Sequence, residues 1–210
     1  MVDTYAGTQS VFDGGTEYSR MAYVVRSILG RTATATLVIV KTVTNAGEVE
    51  PVGLIDVQPM VAQLDGKSQP TPHGIIHDVP YFRVQGGTNA VIMDPKVGDI
   101  GICVFASHDL SAVKENKAPS NPGSRRRFSM ADALYIGGVL NGTPENYIRF
   151  TSDGEIELSP ATKVKIIGDL EVTGDISTED GDVIAGTVSL SDHVHSGVTT
   201  GGGDSGPPVP

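Results

Sequence analysis

The spacing of apolar positions along this 210-residue chain changes character twice. Between residues 16 and 30, Tyr18, Met21, Ala22, Val25 and Leu29 recur at intervals of three and four, which predicts a short helix. Thr16 is placed to cap its start and Gly30 to end it. A helix this short is marginal alone, so it is expected to pack on something. From Ala33 the period falls to two. Strands are predicted at 33–40, 52–57, 79–84, 89–93 and 100–105. Turns fall at Asn45-Ala46-Gly47 and at Pro95 to Asp99, and residues 65–74 read as a polar loop. Pro80 is expected at a sheet edge or a strand start.

So many short strands in so little chain predict a small barrel, most simply an OB-like one, over residues 33–107. An N-terminal arm and the short helix precede it at 1–32. Residues 108–147 read as a loop-rich connector, broken by Pro119, Pro122 and Gly123. Residues 148–190 differ again. Ile148 to Thr151, Glu155 to Leu158, Lys163 to Ile166, Leu170 to Thr173 and Val183-Ile184 alternate aliphatic with charged or polar residues. Gly168-Asp169, Gly174-Asp175 and Gly181-Asp182 mark turns between them, giving a weak short-period repeat. The fold class is therefore mainly β: a short helix and a barrel, then a repetitive β region, then an apex at 191–210.

The repetitive region has a burial problem. It is short, almost free of aromatics, and has one apolar face, too little for independent stability. Several copies wound about one axis would place Ile156, Leu158, Val164, Ile166, Leu170, Val172 and Ile176 inside and the acids outside. Three copies wound about one axis are the arrangement expected here. Alternation alone does not choose three over two.

Composition sharpens this. With 26 Gly, 13 Pro, no Trp and one Cys, the chain is poor in bulky core residues and has no internal disulfide. No apolar run approaches a membrane helix. The start, Met1-Val2-Asp3-Thr4, has neither a basic nor a long apolar stretch, so synthesis in a cytoplasm without a signal peptide is expected. The net charge is −10, which argues against broad nucleic-acid binding. Residues 1–145 carry −2 and residues 146–190 carry −6. Copies in a shaft would multiply that acidity along one axis and keep its wall soluble.

The candidate chemistry sits at the C-terminus. His193 and His195 are two apart, so an extended backbone puts both imidazoles on one face. One chain offers two nitrogens, too few for a structural site; three chains offer six. Six imidazoles make an octahedron, which favours iron or nickel over the four-coordinate habit of zinc. A metal would staple a tip that has no core. Gly201 to Gly206 formally fits G-x-G-x-x-G, but no βαβ unit surrounds it and Pro207-Pro208 stands where a helix should begin. His73, His77 and His108 read as ordinary loop residues, Cys103 as a small core residue, and Arg125-Arg126-Arg127 as a solvated loop. The acids of 146–190 read as a solvated wall rather than a glycosidase pair. No catalytic residue is expected, and the chain does not read as an enzyme.

The order of these parts resembles the central spike proteins of contractile-tailed phages, the baseplate assembly protein V group, nearest to those with a Gp138-like N-terminal domain. The likeness rests on Asp78 to Phe82, Pro95 to Asp99, Ser107 to Leu110, Asp132 to Gly138, Gly154 to Glu157 and Val172 to Ile176. It ends on the run from Leu190 through His193-Val194-His195 to Gly206-Pro207-Pro208. The resemblance implies a homotrimer with an OB-fold collar, an intertwined β-helix or β-prism spike and a pointed, metal-capped C-terminal apex. It implies one iron ion per trimer on the axis, held by His193 and His195 of each chain, with nickel or zinc as alternatives. It implies contact with baseplate hub or tail-tube proteins through the N-terminal domain. Its role is mechanical: a virion spike, made in the host cytoplasm, that tips the tail tube and is driven through the host outer membrane on sheath contraction. A tail-fibre tip that recognises cell-surface polysaccharide is the alternative, though it calls for exposed aromatics near the tip, and after Tyr147 only Phe150 remains.

Overall fold

A computed structural model describes residues 14–30, 32–45, 47–65, 67, 69–194, 196–197 and 201. Most of the N-terminal arm, His195 and nearly all of the glycine-rich tail lie outside them. The chain divides into two units, 1–143 and 144–210. It is mainly β, with few helices and a curled sheet.

The first unit opens with α1 (Glu17–Leu29). Thr16 Oγ1 accepts from the Ser19 amide at 3.1 Å, and Ser19 Oγ accepts from the Thr16 amide at 2.9 Å. This reciprocal capping box satisfies two amides that the helix cannot. The Gly30 amide closes the other end on Arg26 O at 2.8 Å. The expectation that the helix packs is not met within the chain, since none of its residues is buried.

Strands follow at β1 (Ala35–Val43), β2 (Leu54–Pro59), β3 (Gln63–Leu64), β4 (Pro70–Thr71), β5 (Ile76–Pro80), β6 (Val84–Gly86), β7 (Asn89–Val91), β8 (Ile100–Phe105) and β9 (Ala133–Gly137). Five of them form one antiparallel sheet in the order β5-β2-β1-β8-β9. The sheet curls until its two edges meet in a parallel bridge between Tyr81 and Tyr135, where Phe82 N donates to Tyr135 O at 2.8 Å. Closing the edges removes most of the unpaired strand face. The inward residues are Val38, Val40, Ile55, Val57, Val79, Cys103, Phe105 and Tyr135, all buried. In β2 and β8 burial alternates strictly, as the sequence pattern requires. Gly101 is obligatory in this core: a β-carbon there would stand 2.5 Å from Tyr135 Cε2 and 2.6 Å from Ile136 O.

Three details differ from the sequence reading. The predicted strand 79–84 breaks: β5 ends at Pro80, and β6 starts afresh to pair with β7. The predicted strand 89–93 therefore belongs to a separate hairpin, not to the curled sheet. The fifth sheet strand is β9, inside the segment read as a connector. It is too short and too glycine-flanked to stand out, and its burial comes from alignment with β8. Finally, β3 and β4 make a small hairpin at the polar loop.

The second unit contains β10 (Tyr147–Phe150), β11 (Ile156–Ser159), β12 (Ile184–Ala185) and β13 (Val188–Ser189). They pair as two hairpins, β10 with β11 and β12 with β13. Residues 160–183 form no strand, so the expected strands at 163–166 and 170–173 are absent. A strand needs a neighbour, and within one chain this stretch has none. No described residue of this unit is buried; Ile156, Leu158, Val164, Ile166, Leu170, Val172 and Ile176 are all exposed.

Candidate functional site

The apex is built from a tight hairpin and one carboxylate. Gly186, at φ +68°, turns the chain between β12 and β13 in a conformation that favours glycine. Leu190 N donates to Val183 O at 3.0 Å, which extends the pairing past β13. Asp182 then gathers the turn that follows. Its carboxylate accepts a short bond from Ser189 Oγ, and its Oδ1 accepts from Ser191 N at 3.2 Å. The Ser189 hydroxyl bond is the main reason its acidity is strengthened below the usual carboxylate value. Asp192 N donates to Ser189 Oγ at 2.9 Å. Asp182 looked like one of several Gly-Asp turn residues; its reach to the 189–191 turn depends on hairpin register, which composition does not reveal.

That turn presents His193. Its Nδ1 lies 3.0 Å from Leu190 O. A carbonyl only accepts, so Nδ1 donates to it. A backbone carbonyl on one imidazole nitrogen is the common way to orient a metal-ligating histidine. The ring chemistry of His193 therefore fits a ligand. His195 lies outside the described residues. Among the described residues no group of three or more His, Cys, Asp or Glu converges within one chain.

The other predicted candidates scatter. His77 Nδ1 lies 3.1 Å from Asp56 Oδ2, and His73 Nδ1 lies 3.0 Å from Gln63 Nε2. His108 sits between Ser107 Oγ at 2.9 Å and Arg127 Nη2 at 2.8 Å. Cys103 is fully buried, and loss of solvent pushes its thiol up to about 12, far from a nucleophile's range. Of the glycine run, only Gly201 is described.

Arg126 corrects the reading of the arginine run as a solvated loop. Its guanidinium grips two buried carboxylates: Nη2 to Asp109 Oδ1 at 2.7 Å, Nε to Asp132 Oδ2 at 2.7 Å, and Nη2 to Asp132 Oδ1 at 2.8 Å. Ser124 Oγ adds a 2.6 Å bond to Asp109, and Leu110 N donates to Asp132 at 2.9 Å. Asp109 is held well below the usual carboxylate range, by the Ser124 and Ser111 bonds first and Arg126 after them. Asp132 is lowered chiefly by Arg126. This cluster ties the two ends of the β8–β9 connection to each other. A second tie is Arg83, whose Nη2 lies 2.6 Å from Asp94 Oδ1, with both side chains buried. Arg83 Nη1 also donates to Glu50 O at 2.6 Å. In the second unit, Arg149 and Glu157 face each other across β10 and β11 in a bidentate pair, 2.9 and 2.7 Å.

The family profile for the GpV Apex motif matches residues 188–209, and this is the apex motif of phage baseplate spike proteins. The match begins at β13 and takes in the Asp182-anchored turn, His193 and His195. No curated protein matches the chain. The motif marks the chain as carrying a phage baseplate spike apex, and its setting as the tail of the virion.

Proposed function

We propose that this chain is the central spike of a contractile phage tail, acting as a homotrimer and without catalysis. The observation that carries the reading is the apex motif on residues 188–209. It lies in the second unit, whose described apolar side chains are exposed. Exposing so many aliphatics is unfavourable by roughly 25 cal/mol per Å². Three copies wound together remove them from water and supply the missing strand neighbours for residues 160–183.

In this reading the curled sheet is an OB-type collar. Its support is the five-strand order and the closing parallel bridge. The Arg126 and Arg83 clusters hold the connections of that collar, giving a stiff base for hub or tail-tube proteins. The acidic shaft wall offers no attraction to anionic lipid or nucleic acid, so entry into the host outer membrane comes from sheath force. At the tip, His193 and His195 of three chains hold one iron ion, which supplies a cross-link between chain ends that have no core. Nickel is the alternative by donor type, and zinc is disfavoured by its preference for four ligands.

Metal content tests the tip. Protein purified without chelators is expected to hold iron at one ion per three chains by elemental analysis. His193→Ala with His195→Ala is expected to lose it and to keep the N-terminal fold by circular dichroism. Metal retained in that double variant contradicts the assignment.

A further inference from the structure

Helix α1 is folded inside out for a single chain. Plotted at about 100° per residue, Val24, Ile28, Met21, Val25, Tyr18 and Leu29 fill one arc of about 140°. That arc faces outward: Tyr18 is 84% exposed, Met21 66% and Leu29 64%. The half-buried residues are Ala22, at the edge of the arc beside Leu29, and Ser19, Tyr23 and Ser27 on the other side. A helix with both ends capped thus presents an apolar face that no described residue of the chain buries.

We propose that this arc packs against the α1 helices of the other copies, forming a short parallel bundle at the N-terminal end. The proposal rests on the trimer reading above. The spacing carries it. Tyr18, Met21, Val25 and Ile28 follow the three-four-three rhythm of a coiled-coil seam. Ala22, Leu29 and Val24 flank the seam, so the apolar face is wider than the narrow stripe of a two-stranded coil. A wide face suits more than two helices, matching the copy number read for the shaft. Of the charged residues, Arg20 and Arg26 lie off the seam, and Glu17 flanks it beside Val24 at the helix start. A helix of 13 residues is too short to associate from free solution. Copies already joined elsewhere meet at an effective concentration on the order of millimolar, which removes that obstacle.

The test uses full-length protein with one cysteine placed in α1, treated with a short bismaleimide that links two thiols. The native Cys103 is buried and does not react. Val25→Cys is expected to give covalent chain pairs on a denaturing gel, and Ser27→Cys, on the opposite side, only traces. The native mass of each variant is read in parallel. A three-chain mass with no pairs from Val25→Cys overturns the bundle and leaves the trimer standing; the arc then serves a different partner. Equal pairing from both positions also overturns it, because proximity alone would explain it. A one-chain mass fails the trimer reading itself, and the bundle with it.

Discussion

Arg126 separates structural charge from surface charge within one tripeptide. Arg126→Ala leaves Asp109 and Asp132 buried without their cation, so the variant is expected to melt several degrees below the wild type. Arg125→Ala is expected to melt with the wild type, and the comparison is made by calorimetry. The cluster also sets an acid limit. Asp109 and Asp132 have folded-state acidities strengthened relative to the unfolded chain. Their stabilisation is therefore complete above the ordinary carboxylate value of about 4 and is lost as pH falls below it. Asp109→Asn is expected to flatten that acid loss in a pH series of melts. Gly101→Ala is the matching packing test: its methyl meets the Tyr135 ring, at a cost of about 1–3 kcal/mol. These roles were not legible in the sequence. Asp109, Arg126 and Asp132 are brought together only because β9 returns beside β8. No local pattern records that return.

Elements were legible where burial is dictated by the chain itself. In β1, β2 and β8 the inward residues Val38, Val40, Ile55, Val57, Cys103 and Phe105 alternate, and the period names the strand. Thr16 and Gly30 delimit α1 by backbone chemistry that operates locally. The reading failed where pairing decides. Val84 to Gly86 pairs with Asn89 to Val91 instead of continuing β5, and Ala133 to Gly137 is a strand only because β8 lies next to it. Lys163 to Thr173 shows the converse: alternation without a neighbour gives no strand in one chain. Leu170→Asp tests that converse, since it places a charge where copies should meet. The variant is expected to lose its trimer by sedimentation while the curled sheet, judged by near-ultraviolet circular dichroism, is kept. At the apex the histidine pair was visible as a motif, but Asp182, which fixes the turn presenting His193, was not.

The whole molecule combines a unit with its own core and a unit with none. The first holds every buried residue described and ties its long connections with paired charges. The second presents an aliphatic stripe, an acidic remainder and an apex motif of phage baseplate spikes. On the homotrimer proposed above, the −6 charge of residues 146–190 becomes the outer wall of a shared shaft. On the proposed reading, three copies complete what one cannot. Native mass spectrometry of the full-length protein, purified without chelators, is the decisive measurement. A homotrimeric spike gives a single species of three chains carrying one iron ion. A stable one-chain species of 21.9 kDa at working concentration would contradict it.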